Sequence, residues 1–185
     1  MSAIVTANTP RVWAGCESCY SNGRLVGVWV DAIDAADLTA AEIHAGSGID
    51  PAVEGCEEFV CMDTDGLPTT GEPSLEEAAR WGEIHAEIGD ERWPALCAWV
   101  RSGSYVAEGD TAFPVLSDFE DRYCGSGWDS FQDYAEGLAE DIGLLSEVPE
   151  SLQSCFDMQS WARDLAFDYV TERDTDGTLH IFRSY

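Results

Sequence analysis

The sequence predicts an α+β fold, and three stretches of unlike character predict it. Residues 1–71 alternate apolar and polar positions in strand-like runs, residues 72–117 carry helical periodicity, and residues 118–185 mix the two. The expected organisation is a chain of three small domains: an N-terminal unit (1–71) with a small antiparallel sheet and a helix, a helical middle (72–117), and a C-terminal α+β unit (118–185). With 45% hydrophobic residues and seven Trp, the 185-residue chain has material for a packed core. An acidic disordered tail would be poor in aromatics.

In the first stretch, Arg11–Cys16 and Leu25–Val30 read as strands flanking Asn22-Gly23, a tight-turn pair. Trp29 among β-branched neighbours suits a half-buried pleated surface. A short helix is expected from Leu38 to Ala45, stopped by Gly46. A third strand is expected at Glu57–Met62, leaving through the turn-rich Asp63–Pro68.

In the middle, Ser74 with Glu77 three residues on forms a capping box. It opens a helix to about Ile88 whose Leu75, Ala78, Trp81 and Ile84 make one apolar stripe. A second helix is expected from Pro94 to Arg101, and Gly109–Pro114 reads as a connector. In the last third, Phe119–Cys124 reads as a strand and Gly125–Gly127 as a turn. Ser130 caps a helix to about Ile142, with Gly143 as its stop. A short helix at Pro149, another from Met158 to Tyr169, and a closing strand Thr178–Arg183 complete the chain.

Charge is the most informative feature. Thirty-six Asp and Glu face nine basic residues, all Arg, for a net charge of −27. Self-repulsion on this scale destabilises a compact chain, so the carboxylates need a reason beyond folding. Such a surface repels nucleic acid and anionic membranes and attracts basic grooves, of which those built for DNA are the commonest. A compact chain of this length is about 40 Å across. Over that length duplex DNA, with one charge per about 1.7 Å, carries about 24 charges. One copy of the chain thus matches the charge density of DNA. From composition alone, plain solubility and adaptation to high salt are the commoner reasons for such acidity and stand ahead of DNA mimicry.

Motifs for catalysis are missing from the sequence: there is no P-loop, no GxGxxG after a strand and no GxSxG. Cys16-Glu-Ser-Cys19 is placed where a strand meets a tight turn, whereas a redox CxxC opens a helix. Zinc would need two more ligands, and Cys56 with Cys61 is a poor second pair. The seven Cys are therefore read as packed, reduced thiols, an odd and irregular set that fits a reducing compartment. His44, His85 and His180 lie far apart in sequence and read as surface or core-edge residues. Glu172–Gly177 echoes the start of a calcium loop, but the closing position is Arg183, so it reads as a hairpin turn, as does Asp63–Gly66. The first ten residues lack a basic region and a long apolar run, so no signal peptide is expected. No run reaches the length of a membrane span. The expectation is a cytoplasmic binding protein with no enzyme activity, cofactor or metal.

Three separated blocks resemble one family. Pro10–Gly15 followed by Tyr20–Asp31 is similar to the opening of the ArdA antirestriction proteins, and Glu57–Asp63 with Gly66–Pro68 resembles their acidic strand and turn. Tyr123–Gly125, Asp133–Ala135, Gly143–Leu152 and Trp161–Leu165 follow in the family's order, then Asp176-Gly177 to Phe182-Arg183. The resemblance implies an elongated homodimer that imitates bent B-form DNA. It would occupy the DNA-binding groove in the methyltransferase core of type I restriction–modification enzymes, protecting incoming mobile genetic elements, and would not itself bind nucleic acid. A DNA mimic aimed at another host DNA-binding protein, or an acidic halophilic-type domain of unrelated function, is the alternative.

The phosphate-mimicking candidates are the carboxylates that local pattern turns outward: Asp31, Asp34 and Asp37; Glu54, Glu57 and Glu58; Glu76, Glu83 and Glu87; Glu120 and Asp121; Asp133, Glu136, Glu140 and Asp141; Glu147 and Glu150. Glu57 and Glu58, as neighbours on a strand, are not expected to point outward together. Residues Leu138 to Glu150 match the family's antirestriction motif, in which Leu138, Leu144, Leu145 and Val148 are expected to pack, with a role in dimer geometry.

Overall fold

The computed structural model describes residues 9–69 and 71–184. Residues 1–8, on which the reading of no signal peptide falls, lie outside them. The fold is α+β, with two small antiparallel sheets and helices around each. Its contacts divide into two compact units, Met1–Pro94 and Ala95–Tyr185.

The first unit is built on β1 (Arg11–Cys16), the central strand of a sheet ordered β2-β1-β3. Val12, Ala14 and Cys16 alternate inward and are fully buried. Between β1 and β2 stands a helix that the tight-turn reading missed, α1 (Glu17–Ser21). Cys16 is its N-cap, and the turn at Asn22-Gly23 ends it, with Gly23 at φ 75°. Strand β2 (Gly27–Asp31) starts two residues later than expected, since Leu25 stands 72% exposed. A 3-10 turn (Ala32–Asp37) then leads to α2 (Ala40–Ile43), whose Thr39 and Glu42 form a capping box, and to α3 (Pro51–Glu54).

Strand β3 (Phe59–Asp65) is shifted C-terminally relative to the expectation. Asp63 and Asp65 are strand residues rather than a hairpin turn, because a bulge at Trp13/Ala14 lets the pairing continue to Arg11 opposite Asp65. Glu57 and Glu58 precede the strand, so the alternation argument does not apply to them and both are exposed. Helix α4 (Leu75–Ile88) follows the Ser74–Glu77 capping box and lies on the 3-10 turn. A Cβ at Gly82 would overlap the backbone of Ile33, so only glycine permits that approach. Trp93 closes the unit, edge-on to Trp81 and His85, with its Nε1–H donating to the Gly66 carbonyl at 3.0 Å.

Helix α5 (Trp93–Ser102) contains the boundary between units. In the second unit, Phe119–Cys124 is mostly helical rather than a strand. Helix α6 (Leu116–Arg122) holds Phe119 in the core, and Asp118 pairs with Arg122 one turn on at 2.7 Å, the favourable order for a helix. Strand β4 (Tyr123–Ser126) follows directly. Helix α7 (Phe131–Asp141) opens with the Ser130–Asp133 capping box. It ends in a Schellman motif, with the Leu144 N–H donating to Ala139 and the Gly143 N–H to Glu140, at Gly143 φ 62°.

Helix α8 (Glu150–Gln153) follows Pro149, and α9 (Met158–Leu165) stops earlier than expected. The apolar spacing continues into a 3-10 turn (Ala166–Asp168), but Tyr169 already belongs to β5 (Tyr169–Arg173), which the helical reading missed. Strand β6 (Leu179–Arg183) is central in the order β4-β6-β5 and is buried from Leu179 through Phe182. The Glu172–Gly177 segment forms the end of β5, with Glu172 and Arg173 paired to β6, and then the expected hairpin turn from Asp174 on. Asp174 accepts there from the Asp176 and Thr178 N–H groups.

Candidate functional site

The structure places every candidate carboxylate in solvent except Asp31, which is half-buried beside Arg11 at 3.6 Å. They come from local devices rather than from one loop. Asp34 and Asp37 ride the 3-10 turn after β2, and Glu54 ends α3. Glu76, Glu83 and Glu87 face away from the Ala78–Trp81–Ile84 side of α4. Glu120 and Asp121 share a turn of α6, and Glu136, Glu140 and Asp141 stand outward on α7. Asp133 doubles as a cap, accepting from the Ser130 N–H at 3.0 Å. Besides Arg11 on Asp31, arginines meet the set at Glu54, paired with Arg24 at 3.0 Å, and at Glu83, paired with Arg80 at 2.8 Å.

In the stretch 138–150, Leu138, Leu144, Leu145 and Val148 are half-buried. Leu138 packs on Tyr134, Leu179 and Ile181. The Gln153 amide spans the loop, donating to the carbonyls of Leu145 at 3.1 Å and Val148 at 3.0 Å. Glu147 and Glu150 are exposed on either side of Val148.

The outer face of the first sheet borders a groove of about 1050 Å³. Trp13, Trp29 and Met62 line it together with Glu17, Asp63 and Glu72, an apolar floor with carboxylates at its edges. The Arg11 guanidinium lies 5.9 Å from the Trp29 ring.

Two groupings escaped the sequence reading. In the first unit, Cys16, Cys19, His44 and Cys56 converge, and all are buried. The CxxC does open a helix after a strand, contrary to the expectation, and His44 is buried at 4% exposure. Cys19 Sγ lies 3.6 Å from His44 Nε2 and 3.8 Å from Cys56 Sγ. Burial works against an ionised Cys16, yet the Cys19 N–H and the neighbouring thiols hold it below the usual thiol value. Burial and those same neighbours push Cys56 up to about 12. The available signal was the Cys16–Cys19 spacing with one His and one Cys downstream. Sequence spacing pairs Cys56 with Cys61, a poor second pair for zinc; in the structure Cys61 lies outside the cluster and His44 joins it instead.

In the second unit, His180 is 5% exposed, so it too is a core residue rather than a surface one. Its Nε2–H donates to Asp174 at 3.0 Å, and its Nδ1 shares a hydrogen bond with the Tyr123 hydroxyl at 3.1 Å. Burial pushes the Asp174 carboxyl up, but His180 and the turn N–H groups outweigh it and leave the group below the ordinary 3.8. All seven Cys are free: five are buried, Cys124 is half-buried and Cys155 is exposed. Among the described residues no helix is long and apolar enough to cross a membrane.

No curated protein matches the chain. A family model described as "Antirestriction protein (ArdA)" matches residues 12–177, a span that holds both sheets up to the β5–β6 turn and every candidate carboxylate. That family comprises inhibitors of type I restriction enzymes, not enzymes themselves. The chain belongs to the ArdA antirestriction proteins.

Proposed function

We propose that the chain inhibits type I restriction–modification enzymes by presenting carboxylates in place of the phosphates of bent B-form DNA. The homodimer occupies the DNA-binding groove of the methyltransferase core in the cytoplasm and protects mobile DNA as it enters. Its mimicking groups are the outward Asp and Glu of residues 1–71, 72–117 and 118–185. Leu144, Leu145 and Val148 serve the dimer rather than touching the enzyme.

One observation carries this reading: within a family of restriction inhibitors, all the candidate carboxylates but Asp31 stand in solvent, supplied by turns and helices in both units. Exposed carboxylates gain from a cationic groove what phosphates gain, and their attraction is long-ranged at low salt. A single exposed ion pair contributes about 0–1 kcal/mol. Binding on this basis is a sum of many small terms.

The test begins with unmodified phage plated on a type I restricting host, where expression of the protein raises plating efficiency. In vitro, Glu140→Gln alone changes inhibition by less than about fivefold. Joint replacement of Asp133, Glu136, Glu140 and Asp141 by their amides weakens it far more, and rising salt weakens it progressively. Inhibition that stays constant from low to high salt would falsify the charge-mimicry mechanism.

A further inference from the structure

The four converging side chains in the first unit have the dimensions of a coordination shell. Zinc binds thiolates at about 2.3 Å and imidazole at about 2.0–2.1 Å. A regular tetrahedron with those radii sets sulfur–sulfur edges of about 3.8 Å and sulfur–nitrogen edges of about 3.5–3.6 Å. Cys19 and Cys56 are 3.8 Å apart, Cys19 and His44 are 3.6 Å apart, and all four ligand atoms lie within 4.8 Å of one another. The spacing is too long for a disulfide, which needs about 2.05 Å. It is also too tight for the ligands of an iron–sulfur cluster, which must stand apart by the width of the cluster. One ion fits.

We propose that Cys16, Cys19, His44 and Cys56 form a structural zinc site in this protein. The supporting shell has the form such a site requires. The His44 Nδ1–H donates to the Ala40 carbonyl at 2.7 Å, which leaves Nε2 with its lone pair turned towards the thiols. The Cys19 N–H donates to Cys16 Sγ at 3.4 Å, a bond that favours thiolate at the helix opening. All four residues are less than a tenth exposed. Zinc with three thiolates and a neutral imidazole keeps one net negative charge, and three protons leave for solvent as it binds.

The ligands join three segments: the end of β1 with α1, the end of α2, and the stretch leading into β3. Around them Val26 and Ile43 are buried beside the thiols, with Leu38, Ile49 and Phe59 packed against the cluster. A metal here ties the three segments to one another through a single ion. None of the four is among the mimicking carboxylates, so the site stands independently of the inhibition mechanism.

Full-length protein, reduced and stripped of metal by chelator, is titrated with Co²⁺ and then with Zn²⁺. The expected result is the intense visible spectrum of tetrahedral, thiolate-rich cobalt, saturating at one ion per chain and erased by zinc. Cys56→Ser abolishes the tetrahedral spectrum, whereas Cys155→Ser, at an exposed position elsewhere, keeps it. Zinc raises the melting temperature of the stripped protein. The proposal is overturned if the unmutated protein takes up no cobalt, if the cobalt it takes up shows a weak six-coordinate spectrum, or if Cys56→Ser binds unchanged. The unmutated titration decides the matter even if the variant fails to fold.

Discussion

Met1–Pro94 and Ala95–Tyr185 each hold half of the thirty-six carboxylates and about half of the nine arginines, yet their interiors are made of different materials. The first gathers small side chains, Val12, Ala32, Ala35 and Ala78, in one cluster and buried thiols in another, and keeps its buried Trp81 and Trp93 together at its end. The second is aromatic. Trp99, Phe119, Tyr123 and Phe182 stack or tilt on one another within 5.3–6.3 Å, and Trp128, Phe131, Tyr134 and Tyr169 form a second group. Two solutions to packing thus support one uniform surface. The acidity belongs to the outside of each unit and leaves the inside free to differ.

The two interiors should break in opposite ways. Phe182→Ala removes volume from the aromatic group and should cost about 3–5 kcal/mol in urea denaturation. The first unit is more sensitive to added volume. Gly82→Ala drives a methyl group into the Ile33 backbone and should cost about 1–3 kcal/mol. If Gly82→Ala proved neutral, the close approach of α4 to the 3-10 turn would not be what holds that unit.

Acid separates the units next. Asp174 has a depressed carboxyl, so its contribution to stability is complete above the unfolded value near 3.8 and is lost as pH falls through the lower folded value. Protonation of the other carboxylates relieves repulsion and acts in the opposite sense. The comparison with Asp174→Asn isolates the pair: the variant should lose about 1–3 kcal/mol at neutral pH, and the gap should close as pH drops below 3.8 in urea melts.

The smallest effect should be the same in both units. Ser74→Ala and Ser130→Ala each remove a capping box, and each should cost about 1 kcal/mol. Unequal costs would mean that one helix depends on its cap and the other on its packing.

Those caps were also the most legible part of the fold. Ser74 with Glu77 and Ser130 with Asp133 announce α4 and α7 locally, because the signal and the bond it makes lie within one turn. Gly143 marks a stop for the same reason. Phe119–Cys124 reads as a strand because its aromatic ends lie beside the Gly125–Gly127 turn, while the Asp118–Arg122 pair that favours a helix begins one residue earlier. Tyr169–Arg173 was hidden because α9's apolar spacing continues into the 3-10 turn just before it. The thiol cluster was least legible of all. Its ligands span residues 16 to 56, and only the packing of α1, α2 and the segment before β3 brings His44 and Cys56 to the CxxC. The expectation that Glu57 and Glu58 do not point outward together fails because both precede β3, so strand alternation does not govern them. The exposure of the carboxylates was otherwise readable, since polar faces of short amphipathic elements have nowhere else to go.

Cys155 stands apart from the other six sulfurs in being open to solvent, just after α8 and close to the loop clamped by Gln153. A bulky maleimide or spin label offered to the native protein should therefore attach at that residue first, leaving the interior intact. With no lysine in the chain to compete, this gives the experimenter a single reporter beside the antirestriction motif.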